Sequence, residues 1–225
     1  MDFSLSPFLF QFGDFGLRYY SLMYLIGLGI VYLWLIRVAK YEKEKITDFV
    51  VYGFLLVVLG SRLGYVLFYQ PHWLLTDFVQ VFKIWEGGMS FHGGALAMTG
   101  WICWYARRQG WEILKFSDDF LIPMIFALGL GRIGNFLNGE LWGRVTEVAW
   151  CFRVEGLEGC RHPSQLYEAL SHLITFGVLA LLNTQRTRPG TISALFLILY
   201  GTFRSLTEQL WREPSWVWGG ITAGT

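Results

Sequence analysis

Apolar residues run through this chain in six long stretches, at residues 19–38, 48–69, 91–106, 118–137, 165–183 and 191–210. Each approaches the roughly 20 residues that a helix needs to cross a hydrocarbon core of about 30 Å. None shows the apolar/polar alternation over about ten residues that marks a strand of a membrane β-barrel. The third is shorter and contains glycines. The pattern predicts an all-α fold: a polytopic transmembrane helical bundle of about six spans, forming one integral-membrane domain over residues 1–225. No internal repeat is visible. Residues 1–17 lack the basic start and small-residue cleavage site of a signal peptide, so they are expected to remain in the mature protein.

The polar residues between the stretches orient the bundle. Arg37, Lys40, Lys43 and Lys45 follow the first stretch. Arg107, Arg108 and Lys115 separate the third from the fourth, and Arg186 and Arg188 the fifth from the sixth. Positive residues mark cytoplasmic loops. The opposite segments are poorer in them: 70–90 sets Lys83 against Asp77 and Glu86, and 138–164 mixes Arg144, Arg153 and Arg161 with glutamates. The N-terminus is therefore expected outside, with short extracytoplasmic loops and an outside C-terminus.

Composition agrees with this class. The chain is 54% hydrophobic and 16% charged, with mean hydropathy +0.41, whereas a soluble domain carries about 25% charged residues. Its 11 Trp, 11 Tyr and 19 Phe exclude a disordered chain, and three cysteines are too few for a disulfide-built mini-domain. A net charge of +1 provides no basic field for nucleic acid, and no such partner is expected.

Ionisable residues nevertheless sit inside the spans: Arg62 in the second, Arg132 in the fourth, and Arg204 and Glu208 in the sixth. An arginine at mid-membrane costs roughly 2.5–3.5 kcal/mol on insertion scales, so it faces a partner or a polar interior. Each of the three arginines lies about 14 residues into an outward-running span, roughly 20 Å up. They are thus expected at one level of the outer half-bilayer, with Tyr20, His92 and Glu168 on the same side. Arginine's planar fork suits phosphate. Three guanidinium groups with few carboxylates point to a pocket for an anionic lipid headgroup; the competing account pairs each with Glu208, Glu140 or backbone carbonyls as structural locks.

Arg132 and Asn135 share a helix face, with Gly129, Gly131 and Gly134 around them to admit a close neighbour. Tyr200, Arg204 and Glu208 form a stripe spaced by four. Asn138 and Gly139 end the fourth span and are expected to bring Glu140 beside the arginines. His92 stands at the mouth of the third span, where an imidazole can move a proton. No HExxH or paired-cysteine spacing exists among the four histidines and three cysteines, so no metal or cofactor is expected. No GxSxG elbow appears. Cys103 lies inside a span, and Cys151 with Cys160 falls in an outer, oxidising loop, where they are expected to pair. Any attacking thiol or hydroxyl would then come from a second substrate.

The segment from Gly131 through Arg132, Asn135, Asn138, Gly139 and Glu140 to Gly143 resembles the signature of the bacterial prolipoprotein diacylglyceryl transferase family. Met89–His92–Gly94, Arg161–His162–Pro163 to Glu168, and Tyr200–Arg204 agree in order and spacing. The resemblance implies an enzyme of the bacterial inner membrane. It would move a diacylglyceryl group from phosphatidylglycerol to the lipobox cysteine of a preprolipoprotein signal peptide, among membrane lipids, without a cofactor. It implies that Arg132 and Arg204 hold the phosphate and that His92 assists thiol deprotonation. Asn135, Glu140 and Tyr20 would orient the headgroup, with Tyr200, Glu208 and Glu168 supporting the arginines. Asn138 and Gly143 of the signature join the substrate-binding residues, while Arg62 goes to structure or lipid contact.

Three departures stand out. The resemblance implies a seventh span after a Gly-Gln pair, which is not expected within residues 1–225, where Thr225 stands at the place of the glutamine. Glu208 and Arg212 are four apart rather than three, and the outer loop from Arg144 to Arg161 is short. Two other classes remain: a transporter or lipid-binding protein using the same arginines, and an inactive structural subunit. Alternating access commonly relies on repeats near the midplane, which this chain does not display.

Overall fold

The protein is described by a computed structural model covering residues 2–3, 6–12, 15–185, 187–212, 216–218 and 221–222. Arg186 and Thr225 lie outside the described residues. The backbone divides into two compact units, Met1–Trp34 with Asp118–Thr225, and Leu35–Ser117.

In chain order the helices are α1 (Tyr19–Arg37), α2 (Lys43–Tyr69), the single-turn α3 (Trp73–Thr76), α4 (Phe91–Gln109), α5 (Ile113–Leu137), α6 (Ser164–Asn183) and α7 (Thr191–Leu210). Each of the six apolar stretches falls on one of them. Four helices, α1, α2, α5 and α6, are long and apolar enough to cross a membrane. Helix α2 begins five residues before its apolar stretch, α5 begins before it as well, and α4 runs past it to Gln109. Hydropathy marks where lipid suits the side chains, whereas Lys, Glu, Arg and Gln are good helix formers, so the helix outlasts the apolar run. Ser90 caps α4 by accepting from the Gly93 amide at 3.3 Å, and Gly110, at φ 72, closes it in the left-handed region.

The Leu35–Ser117 unit rests on α2 against α4. Glycines make the crossing close: a Cβ on Gly93 would stand 2.3 Å from the Gly60 carbonyl oxygen and 2.9 Å from Gly64 Cα. Beyond the crossing, Phe49 packs on Phe116 and Tyr105, with ring centroids 4.9 and 5.5 Å away. The Trp101 indole donates to the Phe49 carbonyl at 2.9 Å and the Tyr105 hydroxyl to the Lys45 carbonyl at 2.7 Å, so both buried polar handles are answered.

In the other unit, Ile122 and Ile125 of α5, Leu179 of α6 and Ile192 of α7 form the core, flanked by Trp34, Phe176 and Phe196. Asp118 of α5 accepts from the Gly190 amide (2.8 Å), the Ser193 amide (2.7 Å) and the Ser193 hydroxyl (2.6 Å). That carboxylate caps α7 and fixes its start.

Short strands modify the all-α expectation. β1 (Asp2–Phe3) runs parallel to β4 (Phe152–Val154), which pairs antiparallel with β5 (Cys160–Arg161). β2 (Phe8–Phe12) and β3 (Phe15–Arg18) form a hairpin, as do β6 (Trp216–Trp218) and β7 (Ile221–Thr222). The disulfide between Cys151 and Cys160, with Cα atoms 5.6 Å apart, closes the β4–β5 ribbon as expected from its loop position. Phe3 packs edge-on to Phe136 (5.4 Å) and Trp142 (5.0 Å), seating the sheet on the end of α5.

Candidate functional site

The polar heart of the first unit is built from α5, α6 and α7. At Gly129 α5 faces α6, where an added Cβ would lie in ordinary contact, 3.4 Å from that of His172. One turn on, Arg132 Nε stands 2.6 Å from Glu168 Oε2. Arg204 Nη1 and Arg212 Nη1 reach the other oxygen of Glu168 at 2.8 and 3.0 Å. Glu208, four residues after Arg204 on α7, takes Arg204 Nη2 at 3.0 Å and Arg212 Nε at 3.8 Å. Two carboxylates thus hold three guanidinium groups, leaving a surplus of one positive charge.

Exposure divides the cluster by sign. The Glu168 and Glu208 side chains are 3% exposed, whereas Arg132, Arg204 and Arg212 are 24%, 21% and 18% exposed. Glu168 Oε1 accepts hydrogen bonds from Arg204 and Arg212, while Glu168 Oε2 and Glu208 Oε2 are compensated by ion pairing alone. The cations keep an accessible face, which is what an incoming anion requires.

Around this cluster the signature segment is held mainly through main chain. The Asn135 and Asn138 amides each donate to Glu140 at 3.2 Å, so Glu140 is held by two amides at the end of α5. The start of α6 fixes the same turn: Gln165 donates to the Glu140 carbonyl and the Ser164 hydroxyl to that of Leu141 at 3.0 Å. Leu141 has φ 61, a left-handed conformation that a leucine adopts only when its surroundings impose it. Tyr20 shares a 2.8 Å hydrogen bond with Tyr24 on α1. Gly134 allows that helix in, since a Cβ on it would lie 3.1 Å from Tyr20 Cα. Tyr200 presents its ring edge-on to His172 at 5.6 Å.

Gly143 marks a backbone crossing. A Cβ on it would meet the Trp211 carbonyl oxygen at 2.3 Å, and its amide donates to the His162 carbonyl at 2.9 Å. His162 in turn places Nδ1 3.1 Å from the Tyr167 hydroxyl, and its partial burial lowers its pKa below the ordinary histidine value.

Two sequence-nominated residues belong to the Leu35–Ser117 unit. His92, in the first turn of α4, is exposed, with its ring edge-on to Phe91 at 5.8 Å. Arg62 corrects the expectation of three arginines sharing one anion pocket. It is 3% exposed and donates to the carbonyls of Val81 (2.9 Å), Gln80 (2.5 Å), Gly88 (3.1 Å) and Gly87. Its guanidinium also lies 5.5 Å from the Trp73 ring centroid. Those carbonyls take four of the five N–H donors, so Arg62 locks the segment after α2 rather than offering its fork to a ligand. The third cation on the carboxylates is Arg212, which the sequence reading did not place in the site. Its signal was available: with a spacing of four, Glu208 and Arg212 meet on one side of a helical turn. Glu208 is buried while its neighbour Gln209 is exposed, so Glu208 is the carboxylate of the cluster.

Apolar helices around a polar, positively charged cluster define a multi-pass membrane helical protein. The family model described as prolipoprotein diacylglyceryl transferase matches residues 7–225. A protein of Pseudoalteromonas atlantica is 44% identical over 93% of this chain and 76% of its own length. One of Vibrio vulnificus is 45% identical over 94% of this chain and 80% of its own, and one of Aeromonas hydrophila 45% over 93% and 79%. All three are named phosphatidylglycerol–prolipoprotein diacylglyceryl transferase. This chain belongs to the prolipoprotein diacylglyceryl transferase family.

Proposed function

We propose that this protein transfers the diacylglyceryl group of phosphatidylglycerol to the lipobox cysteine thiol of a preprolipoprotein. A carbon–sulfur bond forms at the glycerol carbon that bears the phosphate, and the carbon–oxygen bond to that phosphate breaks. Glycerol phosphate leaves with the bonding electrons, and the thiol proton passes to a base. The lipid-linked product is a thioether. The protein works in the bacterial inner membrane as a single domain of six spans, N-terminus outside, with α4 and α7 counted among the spans.

The observation that carries this reading is the three-guanidinium, two-carboxylate cluster in a chain of this family. Negative charge builds on the phosphate as it departs, and fixed donors aimed at developing charge supply the largest electrostatic contribution to such a step. Arg132 and Arg204 hold the phosphate. Glu168 and Glu208 fix the guanidinium planes from the buried side, and Arg212 offsets the carboxylates so that the cluster remains cationic. Tyr20, Asn135, Asn138 and Glu140 orient the headgroup, Gly143 and Tyr200 shape the surround, and His92 is the base for the thiol.

Arg132→Ala tests the assignment. Glu168 keeps two arginine partners in this variant, so insertion and folding are expected to persist. Transfer to a lipobox peptide in phosphatidylglycerol vesicles is expected to fall by at least about 100-fold, the scale seen when an oxyanion donor is removed. Near-normal thioether formation by an inserted Arg132→Ala protein rules the role out.

A further inference from the structure

Helix α7 ends at Leu210, and Arg212 lies beyond it, where a chain end would ordinarily fray. Its amide still donates to the Thr207 carbonyl of α7 at 3.1 Å, and its carbonyl is held from the outer loop by one residue, Arg144. The Arg144 amide donates to the Trp211 carbonyl at 2.8 Å, and Arg144 Nε donates to the Arg212 carbonyl at 2.5 Å. The first of these carbonyls just past the helix is thereby satisfied by a main-chain amide and the second by a cation, the charge favoured at a helix C-terminus. Arg144 is itself pinned on both sides. Its carbonyl accepts from the His162 amide at 3.0 Å, and the neighbouring Thr146 amide donates to the Cys160 carbonyl at 2.7 Å. Arg161 Nη1 donates to the Gly143 carbonyl at 3.2 Å, and the Cys151–Cys160 disulfide closes the ribbon that carries Arg161.

We infer that Arg144 is a positioning residue for the phosphate-holding cluster, acting through the main chain of Arg212; the inference rests on the transferase reading. With its backbone clamped, Arg212 turns back, donates from Nη1 to Glu168 at 3.0 Å and stands in a looser ion pair with Glu208 at 3.8 Å. Without the clamp, Arg212 leaves the carboxylates, which then draw Arg132 and Arg204 more tightly and weaken their hold on phosphate. The outer ribbon thus sets the charge available to the headgroup without touching it.

The test compares Arg144→Met, Arg144→Lys, Arg212→Met and the Arg144→Met/Arg212→Met double variant in phosphatidylglycerol vesicles with a lipobox peptide. Each single methionine variant is expected to raise KM for phosphatidylglycerol by about tenfold, with kcat within about threefold, the pattern of lost substrate binding. The double variant is expected to lie within about twofold of either single, because residues that act as one unit are not additive. Arg144→Lys, whose ammonium can still donate to the Arg212 carbonyl, is expected to stay within about threefold of the unmodified chain. In parallel, the rise in unfolding midpoint caused by glycerol phosphate is expected to be kept by the lysine variant and lost by the methionine variants. Wild-type KM in Arg144→Met beside a raised KM in Arg212→Met overturns the inference, as do losses that multiply in the double variant. An unmodified chain that transfers nothing yet is stabilised by glycerol phosphate contradicts the transferase reading alone. The midpoint shifts of the variants then decide the role of Arg144.

Discussion

Glu168 gathers three arginines onto one buried carboxylate. Residues whose side chains carry the contact were legible in the sequence: Arg132, Arg204, Glu168 and Glu208 are charges at helical spacing inside apolar runs. Residues that act through the main chain were not. Gly143 is needed because another backbone passes 2.3 Å from where its Cβ would stand, and no side-chain pattern announces such a crossing. Arg62 was legible as a buried charge with a structural assignment, and the competing account of a carbonyl lock holds for it, though which carbonyls it meets leaves no trace in residue identity. His162 gives this scale its prediction. Burial holds its folded pKa below the ordinary 6.5, so the neutral ring is favoured in the fold. Its contribution to stability is complete above pH 6.5 and is lost as pH falls through that value toward the folded pKa. The unfolding midpoint is expected to drop more between pH 7 and about 5.5 in the natural chain than in His162→Asn. Equal slopes in the two proteins contradict the assignment.

At the scale of elements, hydropathy located six helices and misplaced several of their ends, because it reports where lipid suits the side chains rather than where hydrogen bonding stops. The short strands escaped for a related reason: β2 and β3 flank a Gly13-Asp14 pair, a hairpin signal that is weak beside the helix-length apolar runs. Helices α4 and α7 are the less apolar ones, carrying a glycine crossing and two of the five charges of the cluster, respectively. Both still expose large apolar side chains, Leu96 on α4 and Leu197 and Ile198 on α7, which suit lipid better than water. Both are therefore expected to cross. On a Cys103→Ser background, a membrane-impermeant thiol reagent added outside is expected to label Trp85→Cys and Gln209→Cys. It should reach Arg108→Cys and Arg188→Cys only after permeabilisation. Labelling of both members of either pair from one side contradicts the six-span arrangement.

For the whole molecule, chemistry and anchoring have opposite demands: lipid contact asks for apolar surface, while holding a phosphate asks for uncompensated positive charge. The chain sets three arginines on two buried carboxylates in one cluster while its net charge stays at +1. The account as a whole depends on that cluster serving group transfer. The most direct measurement is the mass of a lipobox peptide after incubation with the unmodified protein in vesicles, with and without phosphatidylglycerol. A gain of one diacylglyceryl group on the cysteine, only when phosphatidylglycerol is present and with glycerol phosphate released, is the predicted result. An unchanged peptide in the presence of folded, inserted protein and phosphatidylglycerol contradicts the account.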